Sequence, residues 1–317
     1  MRRLFAIGEA LIDFIPHVTN SELKDVEQFS RQVGGAPCNV AATVSKLGGQ
    51  SEMVTQLGQD AFGDIIVETI ERIGVGVDYI QRTNKANTAL AFVSLKEDGQ
   101  RDFSFYRKPS ADMLYDPSYI EDIEVTNILH FCSVDLVESA MKQAHSKMIE
   151  KFEKVNGTIV FDPNVRLPLW EDPEACRQAI LEFIPKANVV KVSDEELEFI
   201  TGIKDETKAI QSLFKGNVVV VIYTKGPKGA QAFTKNKFTI EHQGYKVKAI
   251  DTTGAGDAFI GAVISRILTS DMIDVAQLFE NEGKSILKFG NKVAALTTTR
   301  YGAIESLPTI EEVNKEY

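Results

Sequence analysis

Residues 217–223 read Asn-Val-Val-Val-Val-Ile-Tyr, a run of β-type side chains without the polar alternation of a half-wet strand. Successive side chains of a strand point to opposite faces, so this run marks a strand with apolar cover on both. The rest of the chain reads the same way. Strand-like segments at 3–8, 52–57, 126–132, 158–162 and 187–192 alternate with helix-like segments at 37–47, 60–73, 136–154, 172–183 and 194–201. In 60–73, Phe62, Ile65, Ile66, Ile70 and Ile73 keep helical spacing and stop at Gly74. Helices are also expected at 257–268, 274–296 and 309–315, and a short antiparallel patch within 229–249. The order predicts an α/β fold, a mostly parallel central sheet flanked by helices. Segments 10–33 and 88–107 fall outside that count. The second is a hairpin with Asp98-Gly99 at its turn, and the two predict a small β-sheet lid over a cleft. No repeat or linker interrupts residues 1–317, which read as a single unit.

Charge narrows the partners. With 35 Lys and Arg against 45 Asp and Glu, the net charge is −10, which argues against a general grip on nucleic acid or an anionic membrane. No apolar stretch reaches the ~18 residues of a membrane helix. Glu9 and Asp13 break the apolar N-terminal run, so it is not read as a leader peptide. Cys38, Cys132 and Cys176 form no CxxC pair, and the four histidines have no ligand spacing with them. Buried thiols in a reducing cytoplasm are the expectation.

The most informative segment is Asp251-Thr252-Thr253-Gly254-Ala255-Gly256-Asp257, which follows the strand-like 245–250 and opens an apolar helix. Small residues at a helix N-terminus let backbone N–H groups converge on an anion. No lysine follows as in a P-loop, and the next glycine after Gly256 is Gly261, so the dinucleotide fingerprint fails too. That spacing also weighs against an oxidoreductase. Asp257 has two readings: a helix-capping carboxylate, or a base that takes the proton of an attacking hydroxyl beside the anion cradle.

The segment 251–259 resembles the C-terminal signature of the ribokinase-like (PfkB) sugar kinases, and Gly34-Gly35-Ala36-Pro37-Cys38-Asn39 resembles their N-terminal one. The resemblance covers essentially the whole chain. It implies that Asp257 is the general base and that the amides of Gly254, Ala255 and Gly256 form the anion hole. Asp13, Gly34, Gly35 and Asn39 would hold the sugar. Asp251, Thr253, Thr297, Arg300, Gly302 and Ser306 would surround a K+ ion, although Asp251 also reads as a brace for the turn. The family's Asn-x-x-Glu motif for Mg2+ and phosphates falls on Ser193 to Glu196, departing at its first position; Ser-x-x-Glu is also a capping box. For ATP, the resemblance implies Lys191, Glu196, Thr224, Gly226 and Gly229, with Asn291 on the adenine side.

Phe105 and Arg107 share one face of the second lid strand with Phe103; if that face closes on the sugar, Phe105 covers it and Arg107 offers a charged donor, and otherwise they are packing and a surface charge. The runs 105–114 and 162–170, which include Arg166, look like those of fructokinases. Fructose, phosphorylated at its 6-hydroxyl, is therefore the expected acceptor. The alternative is 2-keto-3-deoxygluconate, whose carboxylate would meet Arg107 and Arg166. A silent sugar- or nucleotide-binding regulator would need no base at Asp257. A homodimer through the lid is a further expectation, since pairing would cover its strand edges.

Overall fold

The computed structural model describes residues 2–18, 20–95 and 101–315, and the side chains of all these except 94–95 and 101–103. The turn of the predicted hairpin and the side chain of Phe103 therefore lie outside the described residues. The chain runs β1 (Arg3–Ile7), β2 (Leu11–Pro16), β3 (Phe29–Gly34), α1 (Ala36–Lys46), β4 (Gln50–Gly58), α2 (Ala61–Arg72), β5 (Val75–Gly76) and β6 (Ile80–Thr83). Then come β7 (Leu90–Leu95), β8 (Arg101–Tyr106), β9 (Ile128–Cys132), α3 (Ala140–Lys154), β10 (Thr158–Asp162), α4 (Pro173–Phe183), β11 (Val189–Ser193), α5 (Asp194–Thr201) and α6 (Glu206–Ser212). The last part holds β12 (Val220–Thr224), β13 (Ala230–Thr234), β14 (Thr239–His242), α7 (Ala255–Thr269), α8 (Val275–Thr297) and α9 (Ile310–Lys315).

The large sheet has the order β14-β13-β12-β11-β10-β9-β1-β4-β5, with β6 also beside β4. From β12 to β5 every pairing is parallel; β13 and β14 add an antiparallel edge. The strands divide their side chains between two cores as the period of two requires. Leu4, Ala6, Val220 and Ile222 pack with α1, α7 and α8, while Phe5, Ile7, Val221 and Tyr223 pack with α3, α4 and α5. Burying each of these larger side chains contributes roughly 1.5–3 kcal/mol. This two-sided burial is what the valine run at 217–223 announces.

The second sheet has the order β3-β2-β7-β8. It joins two distant segments through the parallel pairing of β2 with β7. Only Gly8-Glu9-Ala10 separate β1 from β2, so the second sheet starts directly beyond the carboxyl end of β1. The chain proceeds from β1 to β4 on one side and returns to β9 on the other. Strand order thus reverses at β1, and clefts in such sheets open beyond the carboxyl ends of the strands at that point.

Two expectations need correction. The segment 245–250 is not a strand: its alternation is genuine, but it runs mostly exposed and pairs with no strand among the described residues. It is held instead by the Ile250 and Asp251 amides, which donate to the Thr298 carbonyl at 2.7 and 3.2 Å. The helix expected from 136 begins at Ala140, because the Ser139 hydroxyl caps it by accepting from the Lys142 amide at 3.2 Å.

Candidate active site

The ends of β1, β9, β10 and β11 and the first turns of α1 and α7 face a cleft of about 910 Å³. Leu11, Asp13, Ile15, Val93 and Phe105 of the second sheet complete its wall. Gly34 and Gly35 feed α1 into this space. A side chain on Gly34 would collide with the Asp13 carboxylate, and Gly35, at φ 101°, brings the chain against the Glu9 carbonyl. The close approach explains the paired glycines and sets Asn39 one turn into the helix.

Asp257, in the first turn of α7, is 8% exposed. Asn39 Nδ2 donates to its Oδ2 at 2.8 Å, and Asn164 Nδ2 donates to its Oδ1 at 3.1 Å. Burial pushes the carboxyl above its ordinary value, while the two amides, Arg166 and Lys191 oppose the shift. Gly254 occupies the N-cap at φ 71°, a left-handed conformation suited to glycine. The first N–H groups of α7 have no acceptor within the helix and carry its positive end. A Cβ on Gly256 would lie 3.5 Å from Lys191 Nζ, so the lysine and the helix terminus converge on one small volume.

Lys191 Nζ lies 3.1 and 3.0 Å from the two oxygens of Asp162. Burial would discharge the lysine, but Asp162 and Glu196 outweigh it and raise its pKa. Asp162 itself is pushed up to about 7, chiefly by burial. Glu196 accepts from the Val165 amide at 2.7 Å, the Ser193 amide at 2.9 Å and the Ser193 hydroxyl at 2.8 Å. Burial would raise its pKa as well; Lys191 and these donors hold it below the usual range. The capping interaction and the place in the cleft coexist.

Of the residues expected at the site, Asp13, Gly35, Asn39, Phe105, Arg166, Lys191, Glu196, Thr253, Gly254, Gly256 and Asp257 line the cleft, with Gly34 and Ala255 adjoining. Arg107 does not. Strand β8 ends at Tyr106, so the alternation does not carry Arg107 over the cleft. Its guanidinium is buried and paired with Asp112 and Asp135. Asp251 braces the loop: Oδ1 accepts from the Thr253 amide at 2.9 Å and hydroxyl at 2.6 Å, and Oδ2 from the Gly302 amide at 3.1 Å. Thr297 and Ser306 are buried, and Arg300 pairs with Glu312 at 2.7 Å. Thr224, Gly226 and Gly229 form the turn after β12. Gly229 abuts the His242 carbonyl, to which Asn291 donates at 3.0 Å, so segment 242–244 joins the turn to α8.

Two residues at the cleft escaped sequence reasoning. In the sequence Asn164 is only one member of the 162–170 run, although an asparagine just past a strand is a turn signal. Glu9 stands out there only as a break in an apolar run. It is 2% exposed, its Oε1 accepts from the Ala36 amide at 3.0 Å, and burial followed by Asp135 pushes its carboxyl up to about 8.

Comparison with known proteins gives the family. The pattern of the pfkB family carbohydrate kinases matches residues 1–310. The chain belongs to this family. A probable fructokinase-4 of Arabidopsis thaliana is 40% identical over 317 residues, covering 98% of this chain and 95% of its own. Fructokinase with bound ATP from Xylella fastidiosa superposes with a TM-score of 0.88 at 31% identity, covering 98% of this chain and 97% of its own. A double-mutant fructokinase from Vibrio cholerae O395, in a form with bound fructose, ADP and potassium ion, has a TM-score of 0.86 at 30% identity, covering 99% and 97%. As a pfkB carbohydrate kinase, the chain is a phosphotransferase acting on a sugar hydroxyl.

Proposed function

We propose that this pfkB kinase transfers the terminal phosphoryl group of ATP to the 6-hydroxyl of D-fructose, giving fructose 6-phosphate and ADP. The observation that carries the chemistry is the Asp257 carboxylate, held in the cleft at the positive end of α7 with Lys191 facing the same turn. The likeness to fructokinases over nearly the whole chain supports the sugar. In this reading the hydroxyl oxygen attacks the terminal phosphorus and its proton passes to Asp257. The bond to the bridging oxygen breaks, and ADP leaves. Amides at 254–256 and the Lys191 ammonium take up charge on the transferring group; phosphoryl transfer depends mainly on such positioning and neutralisation. Asp13, Gly35 and Asn39 would bind the sugar with Phe105 across it, and Arg166 would reach the sugar or the phosphate. The turn 224–229 and Asn291 would hold the nucleotide.

Two ions fit the residues. Mg2+ would neutralise the phosphates, with Glu196 as the nearby carboxylate; among the described residues no cluster of three His, Cys, Asp or Glu forms a protein cage, and Mg2+ commonly relies on phosphates and water instead. K+ would be held by Asp251, the Ser306 hydroxyl and the carbonyls of Thr253, Thr297, Arg300 and Gly302. This all-oxygen set suits a hard cation. Exchanging potassium for tetramethylammonium at constant ionic strength is expected to lower turnover, since the ion would fix the loop that carries Gly254. Equal rates in both salts would remove the ion from the mechanism.

The three cysteines are buried and unpaired, in keeping with a reducing cytoplasm, and no helix among the described residues is long and apolar enough to cross a membrane. The outer sheet, with Tyr106 63% exposed beside Phe92, is the surface proposed for a homodimer.

The sugar is tested by ADP release measured with fructose, 2-keto-3-deoxygluconate, ribose and glucose. Fructose should give the highest kcat/KM. Arg166→Ala should lower fructose turnover and leave the order of preference unchanged. Efficient turnover of the acid by the parent, with fructose ignored, would replace the acceptor and keep the family chemistry.

A further inference from the structure

Asn164 stands in an unusual place. It follows β10 and Pro163, adopts the left-handed conformation at φ 46°, and is 7% exposed. Its neighbours are fixed on both sides. The Pro163 carbonyl accepts from the Ser133 amide at 3.0 Å, and the Val165 amide donates to Glu196 Oε1 at 2.7 Å. A non-glycine residue remains in this region when its surroundings over-determine it, and asparagine tolerates it better than most. The consequence is geometric. The side-chain amide is presented to Asp257 Oδ1 at 3.1 Å, while Asn39 of α1 holds Oδ2 at 2.8 Å.

We propose that Asn164 is a positioning residue for phosphoryl transfer, locking the Asp257 carboxylate against rotation by holding the oxygen that Asn39 does not. The inference rests on the reading of Asp257 as the base. A carboxylate held on one side only can turn about its terminal bond and meet the acceptor hydroxyl in a poor orientation. Held on both oxygens, it keeps one orientation and retains spare lone pairs for the proton. The two donors also favour the ionised form that a base requires. Other groups act on the same carboxylate: Arg166 from the turn and Lys191 from β11 favour its charge, and Asp162 of β10 is the nearby acid. Cys38 of α1 and Cys132 of β9 lie within range of its charge, and burial pushes both thiols up.

The turn 162–166 reaches further than one contact. Asp162 pairs with Lys191, Asn164 with Asp257, and the Val165 amide with Glu196. Three groups from three different elements are thereby set relative to one another by five consecutive residues.

Asn164→Gly separates the amide from the backbone, because glycine accepts the positive φ. The variant should melt close to the parent and bind fructose with a similar KM. Its kcat should fall about 10- to 100-fold, the scale of a misaligned reacting group. The acidic limb of the kcat–pH profile should move to higher pH by about one unit, since a donor to the charged form is lost. Asn164→Asp, which keeps the shape and adds a like charge, should move the limb further in the same direction. An unshifted limb with unchanged kcat would overturn the proposal. So would a raised KM with an unshifted limb, which would make Asn164 a sugar ligand, or a loss of stability alone. Asp257→Ala run in parallel keeps the two readings apart. If that variant is inactive and Asn164→Gly behaves like the parent, only the positioning role fails; if it is active, the base assignment fails.

Discussion

Asp257→Ala is expected to lower kcat by roughly a thousandfold, within the range that general-base catalysis supplies, while fructose and nucleotide still bind. The asymmetry follows from the site. The proton moves only in the transition state, whereas binding would be carried by Asp13, Gly35, Phe105 and the turn 224–229. The variant should fold, because it removes a buried carboxylate whose burial already raises its pKa. It also leaves the amides of Asn39 and Asn164 without their acceptor, so a modest stability loss is expected, about 1–3 kcal/mol. Calorimetric titration of sugar and nucleotide, alongside single-turnover rates, separates these effects. Near-parental turnover in a folded variant would leave Asp257 as a structural link between α7, Asn39 and Asn164.

Arg107→Ala should cost about 3–5 kcal/mol of folding stability, the usual result of stripping one partner from a buried charge cluster. Three acids, Glu9, Asp112 and Asp135, surround this one cation, and all four are nearly inaccessible to solvent. Burial is the main cause that pushes Glu9 up to about 8 and Asp135 up to about 7, and Arg107 opposes it in both. At these two acids the folded chain therefore holds protons that the unfolded chain releases near pH 4, and their contribution to stability falls as pH rises from there to about 8. Without the guanidinium both acids should cling to protons more strongly, steepening that fall. Urea unfolding of parent and variant should show a smaller gap at pH 5 than at pH 8. A gap that is constant with pH, or below about 1 kcal/mol, would mean that the cluster is not a charge balance.

The fold was legible because burial on two faces leaves a plain trace. The valine run of β12 and the helical spacing of α2 each report a local physical demand. The segment 245–250 misled because alternation describes which side of a chain is wet and says nothing about a partner strand. At the site, glycines spoke clearly, since Gly35 and Gly254 occupy backbone conformations that few residues share. Arg107 and Glu9 did not. Whether a charge turns toward a cleft or into a buried cluster depends here on Asp135 and Glu9 as well as the nearby Asp112, and spacing along the chain carries no record of the two distant acids. Asn164 lay hidden for the same reason, its partner being on α7.

The cleft has walls of separate origin. Its outer wall is a sheet stitched from β2, β3, β7 and β8, while the groups proposed for transfer sit on β11 and α7. A wall built this way can exchange side chains over generations without disturbing the strands and helix behind it. The share of acceptor preference carried by Asp13 and Phe105 is thus free to diverge at its own speed, and exchanging the outer-sheet side chains for those of a relative is the natural first route to a kinase with a new appetite.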